Sequence, residues 1–410
     1  MRPTSRRPMI CTRSLPRGIG ALMTMASLTQ SVGSLSAQSA SQNAPPSSAA
    51  MPATVARVEL AAAYLRLDRA YAAATLDDAA RDSVNRQFDR STLSFFAGRF
   101  AASIAAIDSA TTRLTGRPIA PDAPPAARLV NGRAPSITRE ALLARLAKLD
   151  TTGPPMQAIV SARARTQLLV DAPSRERSAE FMADPIALAR DLVREVAVLE
   201  RGRNPYVGQA GDAWHVFRGA KGALIPMRIV APAAAATSSA PVPVVIALHG
   251  AGGDENMFVN AYGQGILARM ALAANAILVT PLTTDFGQSP EHFDSLMTVL
   301  RSEYRINSGR IYVLGHSMGA GAAARLAQLR PTQITAVACL AGGSAVKVEK
   351  APPILFIGAA LDPIIPASRV QDAAKGTPTG LYRLIEHEGH TLMVAAGVKQ
   401  ALPWLLEHRP

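Results

Sequence analysis

Residues 311–329 read IYVLGHSMGAGAAARLAQL, and this stretch decides the fold of the chain. Its first four residues are apolar and mostly β-branched or aromatic, which predicts a buried strand, and its alanine-rich end predicts a helix from 320 to 329. Between them, Gly315 and Gly319 leave out side chains where the strand and the helix must approach closely. The stretch therefore predicts a strand, a sharp turn with Ser317 at its apex, and a helix.

Short apolar runs alternate with helical patterns on both sides of this stretch. Runs that are apolar throughout indicate strands buried on both faces, and helices between them indicate parallel strands joined by right-handed crossovers. Two further strands joined by a glycine-containing turn are typical of a hairpin. The sequence thus predicts an α/β fold with a mostly parallel sheet and helices on both faces. The predicted strands cover 214–217 and 224–230 for the hairpin, then 242–248, 276–279, 311–314, 334–340, 354–357 and 381–385.

An all-α segment precedes the predicted sheet. Between 55 and 200 the apolar residues recur at intervals of three and four, which indicates amphipathic helices. The run GRNP at 202–205 breaks helices. We therefore predict a helical domain over 55–205 and an α/β domain over 206–410. The apolar face of the last predicted helix is formed by Leu188, Leu192, Val196 and Leu199.

The first 38 residues predict an export signal. They hold five arginines and no acidic residue, followed by an uncharged stretch that ends in small residues at Ser36 and Ala37. That order is typical of a cleaved signal peptide, whereas the frequent Thr, Ser and Gln make a poor membrane span. We expect a signal peptide over 1–38, a flexible linker over 39–54, and an exported protein, periplasmic or extracellular, with no integral membrane segment after signal removal. The Sec and twin-arginine routes both stay open.

Composition argues against binding of nucleic acid, metals or cofactors. The net charge is +13, but the sequence has no run of five or more basic residues, so no basic strip that could bind along a nucleic-acid backbone stands out. Signal removal would leave Cys339 as the one cysteine, and no cluster of His and Cys has metal-ligand spacing. The chain has no dinucleotide fingerprint and no phosphate-binding glycine loop with its lysine. We expect no cofactor and no metal, and the oligomeric state is left open.

An acid and a base lie in two loops after later strands. His390 follows the predicted strand 381–385, and Asp362 follows the predicted strand 354–357. Because the carboxyl ends of parallel strands meet at one edge of the sheet, both side chains are expected near Ser317. The alternatives are His387 for the base, and Asp285 and Glu349 for the acid.

The stretch His249-Gly250-Ala251-Gly252-Gly253 follows the predicted strand 242–248. Acyl transfer needs two backbone N–H donors for the developing oxyanion, commonly one directly after the nucleophile and one in a loop after an earlier strand. Met318 and Ala251 occupy those places. His249 is expected to shape the loop, and His249, Gly250 and Gly252 are candidates for contact with the substrate. Candidates for the wall of an acyl pocket, or for the core, are Phe258, Tyr262 and Phe286.

These motifs resemble the α/β-hydrolase superfamily, in which the nucleophile, the acid and the histidine follow one another in this chain order. The segment from about 247 to 390 is most similar to small esterases around dienelactone hydrolase, feruloyl esterase and polyhydroxybutyrate depolymerase. The resemblance implies a two-step acyl transfer in which Ser317 attacks a carbonyl, His390 takes its proton and Asp362 orients the imidazole. It implies a small-molecule or polymer-derived ester as the substrate.

Two other functions stay open on the sequence. A serine peptidase of the prolyl-oligopeptidase group shares the triad order, but its propeller would need a long run of short β repeats where 55–200 predicts helices. A noncatalytic binding protein on a hydrolase scaffold is the second alternative, and the intact Ser317, Asp362 and His390 argue against it. We further hypothesise that the N-terminal helices cover the mouth of the site.

Overall fold

The structure is a computed structural model that describes residues 53–119, 137–153, 155–167, 169, 185–237 and 240–409. The predicted signal peptide lies outside these ranges, and so does the predicted linker apart from its last two residues. Residues 51–410 form one compact unit. Over the described ranges, no helix has the length and apolar character needed to cross a membrane.

The segment before the sheet is helical. Its first helix begins two residues before the predicted start of order, and the predicted apolar face of its last helix is buried. The helices are α1 (Ala53–Ala73), α2 (Asp78–Phe96), α3 (Phe100–Thr115), α4 (Arg139–Ala147), α5 (Met156–Thr166) and α6 (Pro185–Leu199).

Eight strands of the described chain form one sheet. They are β1 (Gly211–Arg218), β2 (Leu224–Ala231), β3 (Val242–Leu248), β4 (Ile277–Pro281), β5 (Ile306–His316), β6 (Ala336–Leu340), β7 (Ile354–Ala359) and β8 (Gly380–Ile385). Their order across the sheet is β1-β2-β4-β3-β5-β6-β7-β8. β1, β2 and β4 pair antiparallel, and every pair from β4 to β8 is parallel. The predicted α/β fold with its hairpin is confirmed.

Helices cover both faces of this sheet. They are α7 (Ala233–Thr237), α8 (Ile266–Ala273), α9 (Thr283–Phe286), α10 (Glu291–Glu303), α11 (Met318–Leu329), α12 (Ala367–Lys375) and α13 (Met393–Glu407). Because strand side chains alternate, Val245 and Ala247 of β3 join a cluster with α8 and α13, while Val244 and Ile246 join a cluster with α10, α11 and α12. The prediction of full burial is wrong for β8. This strand lies at the sheet edge, where Leu381 is 44% exposed.

Helices α1–α3 share a core with the sheet. Tyr64 of α1 and Phe88 of α2 lie in the same hydrophobic cluster as Leu314 of β5, and their ring centroids are 5.7 Å apart. The carboxylate of Asp77 caps α2 by accepting a hydrogen bond from the amide of Ala80 at 2.7 Å. This packing places α2 beside the loops that follow the parallel strands.

Helices α4–α6 pack at the opposite end, against the edge strand β1. Their leucines form a separate cluster, and a buried ion pair joins Arg165 of α5 to Glu195 of α6. The hydroxyl of Ser161 accepts a hydrogen bond from the amide of Val216 at 3.0 Å, and Gln157 donates to the carbonyl of the same residue at 3.2 Å. Side chains of α5 thus bind backbone groups that an edge strand would otherwise leave open to further strand pairing.

Candidate active site

Ser317 lies in a strained turn between the end of β5 and the start of α11. Its φ of 54° and ψ of −115° fall in a region that residues with a side chain rarely occupy. A Cβ on Gly315 would lie 2.1 Å from the carbonyl oxygen of Gly319, and a Cβ on Gly319 would lie 2.0 Å from that of Leu248. The turn therefore requires both glycines. The amide of Ser317 donates to the carbonyl of Leu340 at 2.9 Å, which ties the turn to β6.

His390 stands between Ser317 and Asp362. Its Nε2 lies 2.9 Å from the Ser317 Oγ, and its Nδ1 lies 2.7 Å from the Asp362 Oδ2. The other oxygen of Asp362 accepts hydrogen bonds from the amides of Ile364 and Ile365 at 2.8 and 2.9 Å, which fixes the carboxylate. Because an ionised carboxylate only accepts, Nδ1 carries the imidazole proton and Nε2 is free to accept the hydroxyl proton.

The alternative base and acids lie elsewhere. His387 is 40% exposed, and its Nδ1 lies 2.8 Å from Asp82 of α2. The hydrogen bond from that aspartate raises the pKa of His387. Glu349 is exposed, and the carboxylate bonded to the ring of His390 is that of Asp362, not Asp285.

His249 lies beneath the glycine-rich loop. Its Nε2 accepts a hydrogen bond from the amide of Thr283 at 2.9 Å, so its Nδ1 carries the proton and donates to the carbonyl of Gly250 at 2.8 Å. Burial lowers the pKa of His249 to about 4, so the ring is neutral at pH 7. His249 and Gly250 do not line the cavity beside Ser317, whereas Gly252 does. For His249, Gly250 and Gly252, contact with the substrate remains a prediction.

The two amides predicted to bind an oxyanion belong to residues close to Ser317. Ala251 lines the cavity beside the hydroxyl, and Met318 is the first residue of α11. Among the backbone hydrogen bonds of the described residues, none uses either amide as donor. The first amides of a helix have no partner within the helix, so that of Met318 is available to an incoming acceptor.

His316 is a positioning residue that the sequence analysis did not assign. Its Nε2 lies 2.9 Å from the carbonyl of His390, which only accepts, so Nε2 carries the proton. Burial lowers the pKa of His316 to about 3, and its neutral Nδ1 accepts from the hydroxyl of Tyr262 at 3.0 Å. That hydroxyl in turn accepts from the amide of Gly250 at 3.4 Å. One hydrogen-bond series therefore joins the glycine-rich loop, the serine turn and the histidine loop.

Helix α2 holds the histidine loop from the other side. The amide of His390 donates to both carboxylate oxygens of Asp89 at 3.2 Å, and the amide of Gly389 donates to Asn85 at 2.7 Å. Asn85 also donates to the carbonyl of His387 at 3.1 Å. The backbone of His390 is thus held at its N–H by α2 and at its carbonyl by His316. No sequence pattern links residues so far apart, so sequence reasoning missed these contacts.

Asp89 is a buried acid next to the candidate triad. It is 2% exposed, and burial raises its pKa from 3.8 to about 7, an effect that the amide of His390 reduces and the charge of Asp362 increases. Titratable groups perturbed in this way are concentrated at functional sites. A neighbouring acid of the loop, Glu388, accepts hydrogen bonds from Tyr71 and Arg81 at 2.9 Å each.

An apolar cavity opens beside Ser317 and His390. Its volume is about 110 Å³, and its walls come from α1, α2 and α3 on one side and from the glycine-rich loop and Tyr262 on the other. Of the three aromatic candidates from the sequence, Tyr262 lines this cavity. Phe258 and Phe286 are buried in the hydrophobic core.

A family model described as serine aminopeptidase, S33, matches residues 282–388. The match includes Ser317 and Asp362 and ends two residues before His390. No curated protein sequence matches the chain.

Solved structures of three enzymes are similar to about half of the chain. A thermostable esterase is 23% identical over 51% of this chain and 65% of its own length, just under two thirds, with a TM-score of 0.39. An S-formylglutathione hydrolase from Agrobacterium tumefaciens is 18% identical over 49% of this chain and 97% of its own, with a TM-score of 0.40. A feruloyl esterase module from Clostridium thermocellum complexed with sinapinate is 15% identical over 50% and 91%, with a TM-score of 0.42.

The strand order and the serine turn define the class of fold. The chain has the α/β-hydrolase fold, with Ser317 in the turn where this fold carries its nucleophile, and residues 282–388 match the family model described as serine aminopeptidase. The resemblance drawn from its motifs is confirmed.

Proposed function

We propose that this protein is an exported serine hydrolase that cleaves carboxylic esters through an acyl-enzyme intermediate, with Ser317, His390 and Asp362 as its triad. The observation that carries the proposal is the hydrogen-bond series from Ser317 Oγ through His390 to Asp362, with distances of 2.9 and 2.7 Å. Those distances lie within the range in which a base can take a proton directly from a nucleophile.

The reaction would proceed in two steps on these atoms. Ser317 Oγ attacks the ester carbonyl as His390 Nε2 takes its proton, and the buried Asp362 stabilises the imidazolium that forms. The proton then passes to the alcohol oxygen as the acyl–oxygen bond breaks, leaving the acyl group on Ser317. A water molecule, deprotonated by His390, attacks this second ester and releases the carboxylic acid.

We assign binding of the tetrahedral oxyanion to the backbone amides of Ala251 and Met318. Ala251 lines the cavity beside the Ser317 hydroxyl, Met318 follows Ser317 at the start of α11, and neither amide donates to another backbone acceptor among the described residues. The Met318 amide lies at the N-terminus of α11, where the helix dipole favours negative charge. Preorganised donors of this kind contribute about 2.7–4 kcal/mol each to stabilising such transition states.

An ester substrate fits the cavity better than a peptide N-terminus. An aminopeptidase has to bind an α-ammonium group, and the described residues that line the cavity include no Asp or Glu. The cavity therefore offers an apolar acyl group its walls and a cation no partner. The structural neighbours described as esterases and as feruloyl esterase are compatible with this choice.

The test compares the mature chain with its Ser317→Ala variant on p-nitrophenyl esters and on aminoacyl p-nitroanilides, with fluorophosphonate labelling of both proteins. We expect ester hydrolysis and labelling by the wild type, a loss of kcat of at least about 10⁴-fold in the variant, and little amide cleavage. Absence of labelling in folded wild-type protein would instead support a noncatalytic binding role. Faster cleavage of the anilides than of the esters would support the peptidase.

Export has its own test. The leader at 1–38 motivates it, and mass spectrometry of the protein recovered outside the cytoplasm should give an N-terminus close to residue 39. A full-length chain recovered from the cytoplasm alone would exclude export.

A further inference from the structure

We infer that helices α1–α3 form the acyl pocket of this enzyme and select esters of uncharged aliphatic acids of about four to six carbons. The inference rests on the proposed function, since it assigns the substrate class of the same site. It goes beyond the triad because the residues that decide the choice lie in the helical segment before the catalytic sheet.

The helical segment supplies about half of the cavity wall. Phe95 shows how close the two parts lie: a Cβ added to Gly252 of the glycine-rich loop would be 2.5 Å from the Phe95 ring. The ring of Phe95 therefore rests on the backbone next to the predicted oxyanion donor Ala251. The helical residues that the argument uses are Ala61, Tyr64, Phe88, Thr92, Phe95 and Ile107.

The pocket wall is apolar even where its residues carry hydroxyl groups. Ser91 donates its hydroxyl to the carbonyl of Phe88 at 2.6 Å, and Ser103 donates to the carbonyl of Ser91 at 2.9 Å. The hydroxyl of Thr92 also donates to the carbonyl of Phe88, at 3.3 Å. Among the described lining residues there is no Lys, Arg, Asp or Glu. A charged or strongly polar acyl group would lose its hydration without gaining a partner.

The size of the cavity limits the acyl group. An engineered apolar cavity of about 150 Å³ accepts a benzene ring. The cavity beside Ser317 has a volume of about 110 Å³, so it holds a somewhat smaller group. An acyl chain of about four to six carbons fills such a space, whereas acetate leaves most of it empty and decanoate exceeds it.

The pocket suits the acyl group rather than the alcohol. The acyl group stays bonded to Ser317 through both steps, while the alcohol has to leave before water attacks. An apolar wall stabilises a group that remains in place, whereas the leaving group has to be exchanged for water. The rate of deacylation, which depends on the acyl group alone, can therefore report on this pocket.

The experiment measures kcat/KM and the single-turnover deacylation rate for p-nitrophenyl acetate, butyrate, hexanoate and decanoate. Two variants change the pocket in opposite directions: Ala61→Leu fills it, and Phe95→Ala opens it. Leu93→Ala is the matched control, because Leu93 lies on the same helix as Phe95, is 51% exposed and does not line the cavity. A butyrate ester is also compared with the monoester of succinate, which has the same length and one added carboxylate.

We expect the wild type to prefer butyrate and hexanoate, with a gain of about fourfold in kcat/KM for each methylene that enters the pocket. Ala61→Leu should move the preference to acetate, Phe95→Ala should move it to longer chains, and Leu93→Ala should leave it unchanged. The monoester of succinate should be cleaved at least about tenfold more slowly than the butyrate ester.

The inference fails if both pocket variants label with fluorophosphonate as well as the wild type does and keep its chain-length profile. It also fails if only the alcohol series, tested with a fixed acyl group, responds to the variants, because the pocket would then hold the leaving group. Loss of labelling and of all ester hydrolysis in the wild type is a different result, which would overturn the proposed function itself. Labelling of each variant shows that it has folded around an active serine.

Discussion

Replacement of Asp89 by Asn should make the protein more stable and the enzyme slower. Burial raises the pKa of Asp89 from 3.8 to about 7, and one pKa unit corresponds to about 1.4 kcal/mol. The charged carboxylate therefore reduces the free energy of unfolding by up to about 4 kcal/mol above pH 7. Asparagine keeps an acceptor for the amide of His390, but its buried NH₂ group is left without a partner, which costs about 1–3 kcal/mol. The expected net gain is about 1–3 kcal/mol at pH 8.

The pH dependence of this gain has a defined sign. The folded-state pKa lies above the unfolded value, so the wild-type penalty is absent below about pH 4, grows as pH rises from 4 to 7 and is complete above 7. Thermal unfolding should therefore show Asp89→Asn less stable than the wild type by about 1–3 kcal/mol at pH 4, where only the penalty of the amide applies, and more stable than the wild type by pH 8. Asp82→Asn is the matched control, because Asp82 lies on the same helix, binds the exposed His387 and has no contact with His390.

Catalysis should change in the opposite direction. The negative charge of Asp89 attracts the charged form of His390, so its removal destabilises the imidazolium of the transition state. We expect kcat to fall about tenfold above pH 7, which corresponds to about 1.4 kcal/mol, with little change in KM. Below pH 7 wild-type Asp89 itself becomes protonated, and the ratio of the two kcat values should approach one. A stabilised variant with unchanged kcat at pH 8 would refute the positioning role of α2, and unchanged stability would refute the buried charge.

Three further changes test the site and its surroundings. Gly389→Ala should lower kcat by at least about tenfold with intact folding, because the new Cβ would lie 2.1 Å from Asp89 Oδ2 and displace the histidine loop. In an Asp89→Gly background the same change should cost no further activity, and a fully active Gly389→Ala single variant would contradict this cause. Asp362→Asn should lower kcat by about 10⁴-fold at neutral pH, because an amide cannot hold the required tautomer of His390. Stopped-flow ester hydrolysis measures this loss, and a variant with wild-type kcat would disprove the assignment of Asp362 as the acid of the triad. Glu303→Gln should become progressively more stable relative to the wild type as pH rises from 5 to 8, because burial raises the pKa of Glu303 to about 8 and the charged wild-type carboxylate is penalised as it forms. Its kcat should not change, and an altered kcat would show that stabilisation alone affects turnover.

Local patterns were enough to predict the sheet and the candidate triad. The serine turn, the apolar runs and the two loops after β7 and β8 each lie within about ten residues of a strand, and the topology of parallel strands brings their ends together. The geometry agrees with the predicted Ser317, Asp362 and His390 because their positions follow from that topology. The exposed face of β8 was not predicted, since the run 381–385 looks like an interior strand until its place at the edge is known.

Contacts across long stretches of chain could not be predicted in the same way. Asp89 and His390 are 301 positions apart, and Asp89 has the ordinary appearance of an acid on the polar face of an amphipathic helix. Its burial depends on how α2 docks on the sheet, which the periodicity of α2 does not specify. The tie between His316 and the carbonyl of His390 is similar, although a histidine inside the serine turn is a signal that could have drawn attention to it.

The boundary predicted at residue 205 separates two sequence patterns. Whether it also separates two domains remains a prediction. The candidate active site draws on both sides of it. The first side contributes the acceptors for the amides of Gly389 and His390 and half of the cavity wall, and the second contributes the proposed triad. A histidine loop that loses two backbone partners exchanges them for water and gains conformational freedom, which works against a triad that needs the imidazole within hydrogen-bond distance of Ser317. The helical segment is therefore better regarded as part of the catalytic unit than as a separate cover over it.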